Sequence, residues 1–324
     1  MRATIEVLEG GLYTTVQDYP GRTGYWGVGI PPSGPMDSFA FRVANALVAN
    51  PDTYAALEIT AMGPKLAFHD DALIALTGAR LQCSLDQDEV AWWQAIEVPG
   101  GSVLTLKGLQ GDGFRAYLAI AGGIDVPLYL GSRSTFPFGH FGGYEGRPLQ
   151  KGDVLKSFGA SASVRARSVA LPDSLRPHYS KVFEVGAIPG PQEAPDFFTL
   201  ADVEMFYESE WTVHYNSNRL GYRLVGPRPD FAREDGGEGG RHPSNIPDTP
   251  YSVGMVNFTG DMPIVLTADG PSLGGFVCMA TVATTELWKI GQAMPGNKLR
   301  FRRTTIDEAV TSMYELQGLL SGIY

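Results

Sequence analysis

Short runs of alternating or β-branched apolar residues, punctuated by Gly, Pro and Asp, recur along most of the chain. ATIEVLE (3–9), LYTTVQD (12–18), ALIALTG (72–78), SVLTLKG (102–108) and RAYLAIAG (115–122) have the length and side-chain shape of strands. One segment breaks this rhythm. In MDSFAFRVANALVAN (36–50), Phe39, Val43, Ala46 and Leu47 share a face at helical spacing, with Asp37 or Ser38 placed to cap it, so a helix packed on a sheet is predicted. The periodicity fades over 161–181, where small, polar and Pro residues collect. The chain is therefore divided into a β-rich half over 1–165, a linker over 166–185 and a second β-rich half over 186–324. That second half opens on strand-like VFEVGAI (182–188) and carries a helix candidate, PDFFTLADVEMFYESEW (195–211). Strands return in MPIVLTAD (262–269), FVCMATVA (276–283) and KLRFRRTT (298–305), and a final helix is predicted from about Ile306 to Leu320. No short repeat is visible.

Composition narrows the class. At 324 residues, 44% hydrophobic and 19% charged, the chain is globular and long enough for a sizeable core. The 40 Gly and 23 Pro fall between apolar runs, as in β-rich proteins. A net charge of −10 without long charge runs argues against a nucleic-acid partner or an acidic membrane surface and fits a neutral or cationic small molecule better. Cys83 and Cys278 lie far apart with no CxxC spacing, which predicts buried free thiols rather than a zinc site or a disulfide framework. The N-terminal stretch lacks an apolar core of signal type, and no apolar run approaches the ~20 residues that span a bilayer. A cytoplasmic location is expected.

Several common enzyme designs are missing. There is no G-x-x-x-x-G-K-[ST] phosphate loop, and DGGEGGR (235–241) has neither the lysine nor the strand-to-helix setting of one. GPSLGG (270–275) does not match the G-x-S-x-G nucleophile elbow. The five histidines, at 69, 140, 178, 214 and 242, form no H-x-x-x-H pair, so no metal is expected.

What remains is three polar clusters set in Pro/Gly loops. In VQDYPGRTGYWGVGIPPSGPMD (16–37), Gln17, Asp18 and Arg22 follow a strand, while Ser33 and Asp37 lie where a loop enters the predicted helix. A guanidinium is a planar fork of donors, so Arg22 suits a carboxylate or carbonyl; the bland alternative is a surface pair with Asp18. In VHYNSNRLGYRL (213–224), Asn216, Asn218 and Arg219 offer amide and guanidinium groups, although Asn-Ser-Asn is also an ordinary turn. The third cluster runs from His242 and Asn245 to Asp269, Ser272 and Gly274 in DGPSLGG. Its backbone N–H groups could converge on a ligand oxygen, yet Asp and Asn before Gly or Pro are turn formers first.

At these clusters the chain resembles a known family. GLYTTVQDYPGRTGYWGVGIPPSGPMDSFAFRVAN, STFPFGHFGGYEGRPLQKGDVL, VHYNSNRLGYRL and the run from HPSNIPD through DGPSLGGFVC to GQAMPGNKLRF resemble the carboxyltransferase region of biotin-dependent urea carboxylase, the first part of urea amidolyase. They are most similar to its second half, often labelled allophanate hydrolase subunit 2; relatives include the C component of 5-oxoprolinase and a regulator of a sporulation kinase. The resemblance implies a mainly β fold with a few helices, in two β-barrel-like, cyclophilin-like halves.

The resemblance also implies a role in nitrogen metabolism: passing a carboxyl group from carboxybiotin to the nitrogen of urea, giving allophanate. Such a site needs no protein nucleophile; it must bind a planar diamide and stabilise charge on oxygen. Carried over by motif, Arg22 and Asp269 are the expected central pair, Arg22 on a carbonyl or carboxylate oxygen and Asp269 accepting N–H bonds. Gln17, Asp18, Ser33, Asp37, Asn216, Asn218, Arg219, His242, Asn245, Ser272 and Gly274 are expected to bind substrate or biotin or to shape the loops. The sequence carries no Met-Lys-Met biotin attachment site and no biotin carboxylase, so biotin is expected on a partner. The partners implied are a biotin carboxylase, a biotin carrier and an allophanate hydrolase subunit 1-like chain, with urea, guanidine or 5-oxoproline as acceptor. The chain is expected to be one subunit of a split, multi-subunit carboxylase or an excised part of a larger one, and the Met1 start favours the former. The alternatives are the C component of a multi-subunit 5-oxoprolinase and a non-enzymatic kinase regulator.

Overall fold

The expected strands form where β-branched and alternating residues predict them, and antiparallel pairing organises them into sheets. The computed structural model describes residues 2–159 and 170–323. The chain divides into two units. The first comprises Met1–Thr23, Ser33–Tyr179 and Leu319–Tyr324, the second Gly24–Pro32 and Ser180–Gly318. Residues 166–169 of the expected linker lie outside the described residues.

In the first unit one sheet has the order Val154–Lys156, Thr4–Glu9, Lys65–Phe68, Val103–Leu109, Leu81–Leu85, Asp88–Glu89. The other has the order Tyr13–Gln17, Ala56–Thr60, Arg115–Ile120, Ala72–Gly78, Ala95–Val98. Two of its inner strands, Ala56–Thr60 and Arg115–Ile120, are buried along their length, with Glu58 and Arg115 buried among apolar residues. The predicted helix forms over Ser38–Leu47 and packs on Ala72–Gly78 and Arg115–Ile120. Asp37 is its N-cap, accepting from the Ala40 N–H at 2.9 Å.

A buried polar chain continues from that cap. The Asp37 N–H donates to the Tyr117 hydroxyl (2.8 Å), which donates to Glu58 (2.8 Å), and the Met36 N–H donates to the same carboxylate oxygen (2.7 Å). Burial, with the nearby Glu58 and Asp37 carboxylates, pushes the Tyr117 phenol well above its ordinary pKa, so it remains a donor. Asp37 thus shapes its loop from inside the unit.

The second unit is built on a closed barrel. Its order is Val182–Pro189, Cys278–Val282, Met255–Thr259, Met262–Leu266, Gly221–Val225, Glu210–Val213, Lys298–Arg303, and the last strand closes on the first in parallel. Closure removes the exposed edges of an open sheet. The helix expected over 195–211 is shorter, Leu200–Glu208. A Thr199–Asp202 capping box starts it, and Trp211 is drawn instead into the barrel, opposite Leu299. Phe206 stacks on Phe301 at 4.6 Å, with Trp211 and Phe258 packed around it. A two-stranded ribbon, Asn245–Pro250 with Leu273–Phe276, completes the sheets of this unit. The last helix runs Ile306–Ser321, as the pattern predicts. No helix among the described residues is long and apolar enough to cross a membrane.

Both cysteines are free and buried, and burial raises the Cys83 thiol to about 12 and the Cys278 thiol to about 11. Because the thiolate is the nucleophile, iodoacetamide at about pH 8 is expected to label neither cysteine in the native protein and both in urea. Mass spectrometry reads the outcome; rapid native labelling of either residue would contradict the packing described.

Candidate functional site

Two polar loops of the second unit, one leading into Gly221–Val225 and one following Met262–Leu266, lie side by side because Gly221 pairs with Leu266. Between Glu210–Val213 and Gly221–Val225 the chain turns through Asn216, Ser217 and Asn218. The turn is locally determined: the Leu220 N–H donates to Asn218 Oδ1 (2.8 Å), and the Arg223 N–H donates to Ser217 Oγ (3.1 Å). Asn216 and Asn218 nevertheless line a cavity of ≈ 360 Å³.

This turn is clamped to a second loop by a buried ion pair. Arg219 Nε donates to Asp269 Oδ2 at 2.8 Å and Arg219 Nη2 to Oδ1 at 3.1 Å; each residue is 4% exposed. Backbone bonds reinforce the clamp, with the Asp269 N–H donating to the Arg219 carbonyl (2.8 Å) and Thr267 Oγ1 to the same oxygen (2.6 Å). Such a bidentate fork fixes geometry as well as charge. Asp269, expected to accept N–H bonds from a substrate, therefore has both carboxylate oxygens engaged by Arg219, a pairing that local spacing does not announce.

The cavity has an apolar floor and a polar lining. Ile264, Leu266 and Phe276 lie against buried Met255 and Cys278. Above them are Asn216, Asn218, Tyr251, Asn257 and Arg223. Tyr251 is held on three sides: its hydroxyl accepts from the Phe276 N–H (2.8 Å), its N–H donates to the Ser272 carbonyl (2.8 Å), and its carbonyl accepts from Trp26 Nε1 (2.6 Å). Gly274 must lack a side chain here, since a Cβ would stand 2.5 Å from a Tyr251 ring carbon. Burial raises the Tyr251 phenol above its ordinary pKa, against the opposing effects of the Phe276 bond and a weak side-chain contact with Asn257 that falls short of normal hydrogen-bond geometry.

Asn257 is the unexpected member. It lies on Met255–Thr259, where the pairing with Cys278–Val282 shifts register between Val256 and Asn257. Bulges of this kind re-aim side chains. Asn257 lines the cavity at 2% exposure, and neither its Nδ2 nor its Oδ1 makes a hydrogen bond of normal geometry. The sequence reading omits it, although an Asn inside the apolar run MVNFT is a signal, because Asn is depleted in strands. A second cavity, ≈ 520 Å³, shares Asn216, Asn218 and Arg223 with the first and adds His214 and Tyr215.

His242 and Asn245 lie elsewhere in this unit. The His242 ring is held by Ser244 Oγ (2.9 Å) and Asp261 Oδ1 (3.4 Å) and meets Phe231 edge-on. Asn245 pairs with Phe276 in the ribbon, and its carbonyl accepts from Arg233. Ser272 contributes its carbonyl to Tyr251 rather than its hydroxyl to the cavity lining.

The first-unit residues form a different cluster. Arg22, 1% exposed, donates to the carbonyls of Tyr129 (3.1 Å) and Ser134 (2.7 Å), and its guanidinium lies 4.9 Å from the centre of the Phe141 ring. Asp18 accepts from Ser132 Oγ, the Arg133 N–H and Ser134 Oγ at 2.5–2.6 Å. Arg22 and Asp18 are thus buried residues that meet over Ser134, not a surface pair. Gly142 packs so tightly that a Cβ there would lie 2.7 Å from Arg22 Nη2. Gln17 bridges Thr15, the Thr135 carbonyl and the Gly34 N–H, while Ser33 adopts a left-handed φ of 56° in the adjoining turn. Tyr129 and Phe141 line a ≈ 510 Å³ cavity in this unit.

Residues 28–303 match the carboxyltransferase domain, subdomain A and B. The chain belongs to this family. It is 51% identical over 301 residues to urea amidolyase of Saccharomyces cerevisiae, covering 92% of this chain and 16% of that protein. The crystal structure of Kluyveromyces lactis urea carboxylase superposes with a TM-score of 0.94 at 48% identity, over 99% of this chain and 29% of that one. The chain is also 34% identical over 315 residues to the C component of 5-oxoprolinase from Escherichia coli, covering 97% of this chain and 95% of that protein. It therefore spans a minor part of the urea-processing relatives and nearly all of the oxoprolinase component.

The clamp generates a stability prediction. Asp269→Asn leaves a buried guanidinium without its counter-charge and is expected to lower unfolding free energy by roughly 3–5 kcal/mol, measured by urea titration. An unchanged midpoint would remove the clamp from this account.

Proposed function

We propose that the chain supplies the carboxyltransferase step of a biotin-dependent urea carboxylase, placing a carboxyl group on a nitrogen of urea or a urea-like acceptor such as guanidine. Allophanate is the product from urea. The observation that carries this reading is the enclosed Asn257 amide on the wall of the barrel cavity, with neither polar atom in a hydrogen bond of normal geometry. A buried amide left unmatched costs about 1–3 kcal/mol, which a ligand that offers an acceptor and a donor side by side can recover. Urea, whose carbonyl sits beside N–H groups, is such a ligand.

The cavity's other groups extend the match. Asn216 and Asn218 add amide donors and acceptors, and Tyr251, kept protonated, orients without acting as a base. Arg223 lines both cavities and offers a guanidinium to a carboxylate. Ile264, Leu266 and Phe276 give the cavity an apolar side, and polar contacts made against it are stronger than in water.

Biotin, carried on another domain or subunit, would supply the activated carboxyl group. The same residues suit it, because its ureido edge pairs a carbonyl with N–H groups and its fused ring is apolar below, matching amides above an apolar floor. In this reading Arg219 and Asp269 are positioning residues that hold the amide-bearing turn, while Arg22 and Asp18 fix the Tyr129–Ser134 loop of the first unit. Partners with biotin carboxylase and carrier functions and a subunit 1-like half are part of the proposal, as is a cytoplasmic setting.

A second reading rests on coverage: the chain matches 95% of the length of the C component of a 5-oxoprolinase. A lactam presents the same carbonyl beside N–H edge. The higher identity to urea amidolyase favours urea.

The test uses the chain reconstituted with biotin carboxylase, biotinylated carrier and a subunit 1-like partner. Asn257→Ala is expected to lower kcat/KM for urea-dependent carboxylation about 10- to 100-fold, with urea unfolding unchanged. Wild-type rates in that variant, or turnover of 5-oxoproline and not of urea, would overturn the assignment.

A further inference from the structure

A cavity of ≈ 290 Å³ lies in the first unit, beside the hairpin formed by Leu81–Leu85 and Asp88–Glu89. Nothing in the carboxyl-transfer chemistry uses it. Trp92, one of its lining residues, is 8% exposed, and its indole Nε1 is buried with no hydrogen-bond partner. An indole N–H can only donate, so an acceptor brought into the cavity would satisfy it.

The rest of the lining points the same way. Lys107, Arg80 and Glu89 are its charged lining residues, and Glu89 engages Arg80 at 2.6 Å, so the cavity carries one net positive charge on a chain whose total is −10. Gln82, Gln87 and Gln110 add neutral amides that can serve both donors and acceptors of a polar ligand. Leu81–Leu85 also shifts register against Val103–Leu109 between Leu81 and Cys83, the kind of irregularity that redirects side chains at a sheet edge. Burial raises the Cys83 thiol to about 12, so this wall brings no negative charge.

We propose that this cavity is a binding site for a small monocarboxylate of amino-acid size, its carboxylate accepting from the Trp92 indole N–H and balanced by Lys107. One net positive charge suits a monoanion rather than phosphate, and the glutamines suit an amide-bearing remainder. The site is independent of the urea reading and survives its failure.

The experiment is titration of the whole ¹⁵N-tryptophan-labelled chain with N-acetylglycine, followed through the indole N–H resonances. Trp92→Phe assigns the signal by deleting it. A saturable shift of that resonance is expected with N-acetylglycine and not with N-acetylglycinamide. Lys107→Gln, a substitution at an exposed side chain, is expected to weaken it about tenfold. Three outcomes would overturn the proposal: no shift up to tens of millimolar ligand, an equal shift with inorganic phosphate, or an equal affinity in Lys107→Gln.

Discussion

The bidentate contact between Arg219 and Asp269 is the constraint on which the barrel's cavity depends. Two loops separated by 50 residues in sequence are joined by it, one carrying Asn216 and Asn218 and the other leading into Ser272 and Gly274. Both partners are buried, so neither can be removed without leaving a charge that water cannot reach. The energetic gain of such a pair over an apolar substitute is small; its worth lies in specifying one arrangement of the loops. The Tyr251 bonds continue that specification across the ribbon, and Gly274 supplies the space that the phenol ring occupies.

The first unit uses the same device with different residues. Arg22 and Asp18 each satisfy several groups on the Tyr129–Ser134 loop, and Asp37, Tyr117 and Glu58 tie the helix to its sheet. Side chains with the chemistry of catalysis are here engaged in architecture. A fully engaged buried charge is rigid, which is useful beneath a site and limiting inside one. The groups best placed to meet a ligand are those whose bonding is incomplete, as with the Asn257 amide and the Trp92 indole.

Much of the fold was legible in the chain. The strand runs, the helix beginning behind Asp37 and the last helix emerge from local pattern, because side-chain shape and capping act within a few residues. The helix expected to reach Trp211 stops at Glu208, since barrel pairing opposite Leu299 overrides local preference. The family was legible as well, carried by long ordered motifs around Arg22, Asn216 and Asp269.

The sequence by itself determined the β-rich class, the buried thiols and the kind of polar groups available. Only the tertiary structure decided which of those groups meet. That Asp269 answers Arg219, that Asp18 and Arg22 converge on Ser134, and that Asn257 enters a cavity are long-range pairings with no trace in local spacing. Barrel closure and strand register set them, because a shift of one residue turns each side chain to the opposite face of a sheet.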